Sequence, residues 1–235
     1  MLPKIDIPTF ELVQPSTRNK LIYRPFLVKE EKILLVAKES GEQADIYNAI
    51  KQIINNCVVT EGFDVDTIPI FDMEYIFIKL RSVSVNNIVK FQVNDSTDGQ
   101  TYDLEVDLNE VEIQYPEGHD KKIMITDDIG IVMKYPTPAI SEKLKDSKSI
   151  SDVTSTTIEE CIDYVFDDDD TYPWSQSTPK EKEEFLDQLP IEAYNKIQTF
   201  FETAPSIEHV VTYINSENTE KRVVFRDLND FFMLD

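Results

Sequence analysis

Apolar and polar positions alternate through Thr9-Phe10-Glu11-Leu12-Val13 and again from Lys20 to Tyr23, with the turn-forming run Pro15-Ser16-Thr17-Arg18-Asn19 between them. The chain therefore opens with a predicted hairpin. After Pro25 the spacing lengthens: LVKEEKILLVAKES consists of helix formers and stops at Gly41, a residue suited to a helix C-terminus. A second helix is predicted from about Glu42, because Ile46, Ile50, Ile53 and Cys57 fall on one stripe. That stripe reads as core rather than as a site. Pro69 and then Asp72 mark the start of a third helix, FDMEYIFIKLRSVSV, in which Met73, Ile76, Phe77 and Leu80 share a face that Tyr75 and Ile78 widen. A helix this apolar is expected to be largely buried.

Past Asn86 the period falls to two. Val89, Phe91 and Val93 alternate with polar residues, Asp98-Gly99 signals a hairpin turn, and Tyr102, Leu104, Val106 and Leu108 alternate with acids and Asn109. One wet face implies an antiparallel sheet. Further strands are expected near 111–115, 122–126 and 129–135, closed by Pro136-Thr137-Pro138. Beyond this break the chain turns helical and acidic, with a soft joint at KLKDSKSISDVTSTT. Ile158, Cys161, Ile162 and Val165 predict one helix, 181–189 a second and 191–201 a third; HVVTYI and RVVF then flank the turn NSENTE before a short last helix, LNDFFMLD. The expected fold class is α+β. Residues 1–140 would carry the hairpin, helices and antiparallel sheet, and 141–235 a smaller, mostly helical part with a terminal β-hairpin.

Composition narrows the function classes. Hydrophobic residues make up 41% and aromatics 10%, too much apolar material for a disordered acidic chain. Twenty-three Lys and Arg against 45 Asp and Glu give a formal charge of -22. Such a field repels phosphate backbones and anionic membranes over a Debye length of roughly 8 Å, so direct nucleic-acid binding is not expected. No apolar run approaches the ~20 residues that span a bilayer, and MLPKIDIPTF lacks a secretion signal's apolar stretch. A protein that works in a cytosol, or in something assembled there, is the expectation, with Cys57 and Cys161 as buried free thiols.

Candidate chemistry centres on CIDYVFDDDDTYPWSQSTPKEKEEFLDQLP, where Asp167 to Asp170 and the lone Trp174 precede a helix start. An EF-hand needs glycine at its sixth position and glutamate at its twelfth, but counting from Asp167 these are Tyr172 and Thr178. An irregular divalent site is the remaining metal alternative. Thr178-Pro179-Lys180-Glu181 is a capping box with proline at the first helical position. Trp174 either plugs the core or projects as an anchor for a partner. No nucleophile elbow, phosphate loop, zinc helix motif or dinucleotide fingerprint occurs, only five glycines are present to build such loops, and His119 and His209 alone cannot form a multi-histidine metal site. The reading is of a protein that binds proteins, with no catalytic residue, cofactor or metal. At the far end of the chain, Leu228, Phe231, Phe232 and Leu234 are candidate partner-binding residues, because Phe231 to Leu234 are four consecutive apolar positions that no single period turns to one core. The alternative packs Leu228 and Phe231 back on the helix ending at Phe201.

IYRPFLVKEEKILLVAKES, IPIFDMEYIFIKLRSVSV and VMKYPTP, with TAPSIEHVVTY and LNDFF near the C-terminus, resemble the T4-like bacteriophage baseplate hub subunit family. The resemblance implies a part in the hub of a contractile tail's baseplate, with other tail proteins as partners and assembly in the host cytoplasm. The part is either built into the virion or needed only to assemble it, as a transient chaperone; a calcium-binding module on Asp167 to Asp170 is a third reading. In the family the C-terminal β turn often carries a C-x-x-C resembling half a zinc knuckle. Here Asn215 and Asn218 stand in that turn, and amides are poor zinc ligands, so no zinc is expected.

Overall fold

The structure is a computed structural model that describes residues 3, 5–144, 147 and 149–232, the side chains of Asn229 and Phe232 excepted. Its contacts group into two compact units, Met1–Gln114 with Ser206–Asp235, and Tyr115–Pro205.

The first unit opens with the predicted hairpin, β1 (Phe10–Val13) against β2 (Lys20–Tyr23), which turns Leu12, Leu21 and Tyr23 inward. Helix α1 (Val28–Ser40) ends where Gly41 takes φ 72°, a left-handed conformation that glycine adopts without a Cβ penalty. Helix α2 (Gln43–Cys57) buries Ile50, Ile53 and Cys57 of the predicted stripe, together with Ala49 and Ile54. Helix α3 (Ile70–Ser84) is buried on most sides through Phe71, Met73, Ile76, Phe77, Ile78 and Leu80. Its cap position belongs to Pro69, and Asp72 stands in the first turn as the sequence predicts, where it is fully buried. A buried carboxylate must find donors. Asp72 finds them in the β1–β2 turn, where Gln14 Nε2 donates at 2.7 Å, Ser16 N at 3.0 Å, and the Ser16 hydroxyl also donates.

β3 (Ile88–Asn94) and β4 (Thr101–Asp107) pair antiparallel through the Asp98-Gly99 turn, as the alternation requires. Val89, Phe91 and Val106 are buried, while Leu104, opposite Phe91, is only half-buried. After β5 (Ile113–Gln114) the chain enters the second unit. There β6 (Lys122–Met124), β7 (Gly130–Met133), α4 (Ile140–Leu144) and α5 (Ile150–Cys161) lead into β8 (Ile162–Phe166) and β9 (Thr171–Pro173). The sheet order is β6-β7-β8-β9, antiparallel throughout. This corrects the helix drawn through Ile162 and Val165. Ile162-Asp163-Tyr164-Val165-Phe166 is β-branched and aromatic at four of five positions, and pairing on both edges decides for strand. The same pairing differs from the expected division at residue 140, because β7 and β8 join across the soft joint. Helices α6 (Pro179–Asp187) and α7 (Ile191–Glu202) complete the unit, α6 with the predicted capping box at Thr178 and Glu181.

The chain returns to the first unit through β10 (Ser206–Ile207), which pairs with β5. β11 (His209–Ile214) and β12 (Glu220–Phe225) form the predicted C-terminal hairpin, and α8 (Leu228–Phe232) follows. The β3–β4 and β11–β12 hairpins meet through ring contacts: Phe91 stands edge-on to Phe225 at 5.1 Å, and Tyr102 lies 4.8 Å from Tyr213. The fold is α+β, with helices beside small antiparallel sheets.

Candidate interaction surfaces

The four aspartates form the turn between β8 and β9 rather than the approach to a helix. Asp167 organises it: its Oδ1 accepts the N–H groups of Asp169 at 3.0 Å and Asp170 at 2.8 Å, and its Oδ2 accepts the Tyr172 hydroxyl at 2.9 Å. These hydrogen bonds, that from Asp170 first, hold Asp167 below the usual carboxylate range. Both carboxylate oxygens of Asp167 are thus engaged by the loop itself. Among the described residues, no three His, Cys, Asp or Glu side chains converge on a common point.

Trp174 is 4% exposed, with its ring 5.8 Å from Phe185 on α6 and Lys182 Nζ 5.4 Å from its centroid. It packs inside the second unit, the core position that is one of its two readings. A large apolar ring following a short strand is better sealed under a helix than left in water. Leu228 and Phe231 are also buried, within the first unit. Phe231 is 1% exposed and meets Phe225 at 5.1 Å, while Arg81 on α3 donates to its carbonyl at 3.4 Å. The i, i+3 spacing of Leu228 and Phe231 turns both inward on α8. The Phe232 side chain and Leu234 lie outside the described residues.

The turn that carries Asn215 and Asn218 is held by carboxylates. Asn215 Nδ2 donates to Asp95 at 3.3 Å, as does the Tyr213 hydroxyl at 3.2 Å. Asp98 accepts from the Tyr102 hydroxyl at 2.6 Å and from Ser216 through its N–H at 3.0 Å and its hydroxyl at 2.7 Å. Asn218 takes φ 59°, a conformation asparagine tolerates better than most residues. The β3–β4 turn is thereby fastened to the β11–β12 turn, and hydrogen bonds from Thr97 and from Tyr102 respectively lead in holding Asp95 and Asp98 below their ordinary pKa. Sequence reading missed this pairing. Asp95-Ser96-Thr97-Asp98 signals only a local turn, whereas its partners lie more than a hundred residues away.

His119 is likewise structural in its surroundings. Its Nδ1 lies 3.0 Å from the Thr203 hydroxyl and its Nε2 lies 2.9 Å from that of Tyr135, and the ring stacks on Tyr135 at 5.6 Å and Phe200 at 5.1 Å. Burial, then the charge of Lys121, lowers its pKa. None of the helices among the described residues is long and apolar enough to cross a membrane.

No curated protein and no solved structure matches the chain. Across residues 7–233 it matches the family described as T4 bacteriophage base plate protein. A match over nearly the full length, through both units and the C-terminal hairpin, makes this chain a member of the T4 baseplate protein family.

Proposed function

We propose that the protein is a structural component of the central hub of a contractile tail's baseplate, acting through contacts with other baseplate proteins and without catalysis. The observation that carries this reading is the family match across residues 7–233. A non-catalytic role is supported by how the acids are used. Asp72, Asp95, Asp98 and Asp167 each commit oxygens to the donors of a turn, and carboxylates held this way are poor proton carriers for a substrate. The charge of -22 suits a subunit that stays dissolved in the host cytoplasm until its partners collect it.

Quantitative mass spectrometry of purified virions, with cross-linking to neighbouring subunits, tests the proposal. The expected result is a fixed copy number per virion and cross-links to central baseplate proteins. Absence from virions combined with presence in tail-assembly intermediates would instead identify a transient chaperone. Cross-links confined to the baseplate periphery would remove the hub assignment.

A further inference from the structure

His119 stands where the chain of the second unit begins and where it ends. Its ring belongs to the turn after Tyr115, in which Gly118 takes φ 77° and the His119 N–H reaches the Pro116 carbonyl at 3.4 Å. Nδ1 meets Thr203, just past the end of α7, and Nε2 meets Tyr135, just past the end of β7. One side chain thus holds three separate stretches of the unit together, against the buried ring of Phe200.

Hydrogen-bond directions around Thr203 decide which ring nitrogen carries the proton. The Thr203 hydroxyl lies 2.7 Å from the Thr199 carbonyl, an acceptor only, so its single proton is committed there. Toward His119 it offers a lone pair, and Nδ1 must be the protonated nitrogen. Nε2 then has the lone pair of a neutral imidazole and accepts the Tyr135 hydroxyl. We propose that this neutral Nδ1–H form is a clasp that a proton opens. An imidazolium donates from both nitrogens, so a proton taken up at Nε2 meets the hydroxyl proton of Tyr135 already pointing at it. The hydroxyl must turn its proton away before it can accept. The charges that His119 feels are Lys121 and Asp120 of its own loop, the first repelling a proton and the second attracting it. From the end of β7 it is faced by Tyr135, over whose ring Lys121 Nζ also stands at 4.2 Å, and from α7 by Phe200 and Thr203. Burial and Lys121 prevail over Asp120 and hold the pKa below the ordinary 6.5. The folded state therefore binds this proton less tightly than the unfolded chain does. Closure is complete above 6.5 and is lost as the pH falls through the lowered value.

Nitrogen NMR of the full chain tests this, with only two histidines to distinguish and His209→Gln to assign them. At about pH 7 the His119 ring should show the Nδ1–H tautomer, and its titration should centre below 6.5. Between about pH 7 and pH 5 the exchange protection of the His119 and Thr203 amides should fall together by about tenfold or more, while that of β8 holds. His119→Phe keeps a ring in the stack and has nothing to titrate, so protection at Thr203 should no longer follow pH. An Nε2–H tautomer would overturn the proposal. So would a titration centred at or above 6.5, which would mean that the aromatic faces hold the imidazolium in place, or protection that ignores the titration of His119. An unchanged acid response in His119→Phe would do the same, and if that variant does not fold, the wild-type titration decides alone. These readouts need neither virion nor partner, so the clasp and the hub role are tested separately.

Discussion

Glu30 and Glu74 are both enclosed within the first unit, yet their surroundings move them in opposite directions. Burial alone would raise Glu30, but the Arg24 guanidinium at 3.0 Å, the Leu27 N–H at 2.9 Å and Lys29 together bring it below the usual carboxylate range. Arg24 also donates to Asn56 O at 2.9 Å, so the pair ties the end of β2 to both α1 and α2. Arg24→Met should leave a fully buried carboxylate without its partner and cost roughly 3–5 kcal/mol in denaturant unfolding. Among the described residues, no cation pairs with Glu74. Burial first, and then the charge of Asp227, push it up to about 8, against the pull of the Leu228 N–H. The folded state therefore holds this proton more tightly than the unfolded chain does. Stability from Glu74 is complete below about 4.5 and declines as pH rises to about 8. His119 and His209, both lowered by burial, act in the opposite sense below their ordinary 6.5. Asp72, also raised by burial, acts in the same sense as Glu74, so the comparison with Glu74→Gln assigns the effect: the melting temperature should fall toward pH 8 in the wild type and run flatter in the variant. An unchanged slope in the variant would show that another group carries the dependence.

At the scale of elements, spacing revealed most of what is local. The hairpins at 10–23 and 88–107, the Ile50-Ile53-Cys57 stripe and the Thr178 capping box all follow from residues near one another in sequence, and each forms where the pattern requires. Strand β8 does not. Ile158, Cys161, Ile162 and Val165 satisfy helical spacing, and partners on both edges, β7 about thirty residues upstream and β9 just downstream, make Ile162–Phe166 a strand. Gly130 is where this conversion is most tightly specified, since a Cβ there would collide with the Phe166 ring and press on the Ile123 carbonyl at 3.1 Å. Gly130→Ala should destabilise the second unit by about 1–3 kcal/mol. Combining it with Phe166→Ala should cost less than the sum of the two single changes, because the ring that must move is gone. Strict additivity would mean that the collision is relieved elsewhere. The candidate site was less legible still: Trp174 and Phe231 look presentable in a list of apolar residues, and only the three-dimensional neighbours Phe185 and Phe225 show them to be enclosed.

For the whole molecule, charge and topology govern different properties. The net -22 raises self-repulsion, which salt screens, and invites the idea of a cation as counterweight. Asp72, Asp95, Asp98 and Asp167 instead draw on internal donors, and chelation with EDTA at constant ionic strength should shift the melting temperature by no more than a few degrees; a larger drop would reveal a bound metal. The boundary between units was hidden from sequence because the first unit is discontinuous: composition changes at the soft joint near 145, whereas the chain leaves at 114 and comes back at 206. The second unit has its own sheet and its own buried set, including Ile131, Met133, Ile162, Ile197 and Phe200. The isolated Tyr115–Pro205 segment should therefore fold cooperatively, as thermal circular dichroism can establish; a featureless melt would show that it depends on the rest of the chain.

The pairing of β5 with β10 has a consequence for how such a protein diversifies. Ile113 lies opposite Ile207 and Gln114 opposite Ser206, so the point of departure and the point of return are neighbours across one antiparallel ladder. An antiparallel pair is what a short turn closes. A gene could lose the ninety or so codons between them, or exchange them for another cassette, and the ladder would still be bridged by a simple hairpin. Lineages that keep the outer framework of this chain are thereby free to swap what is threaded through it, at the genetic cost of two junctions.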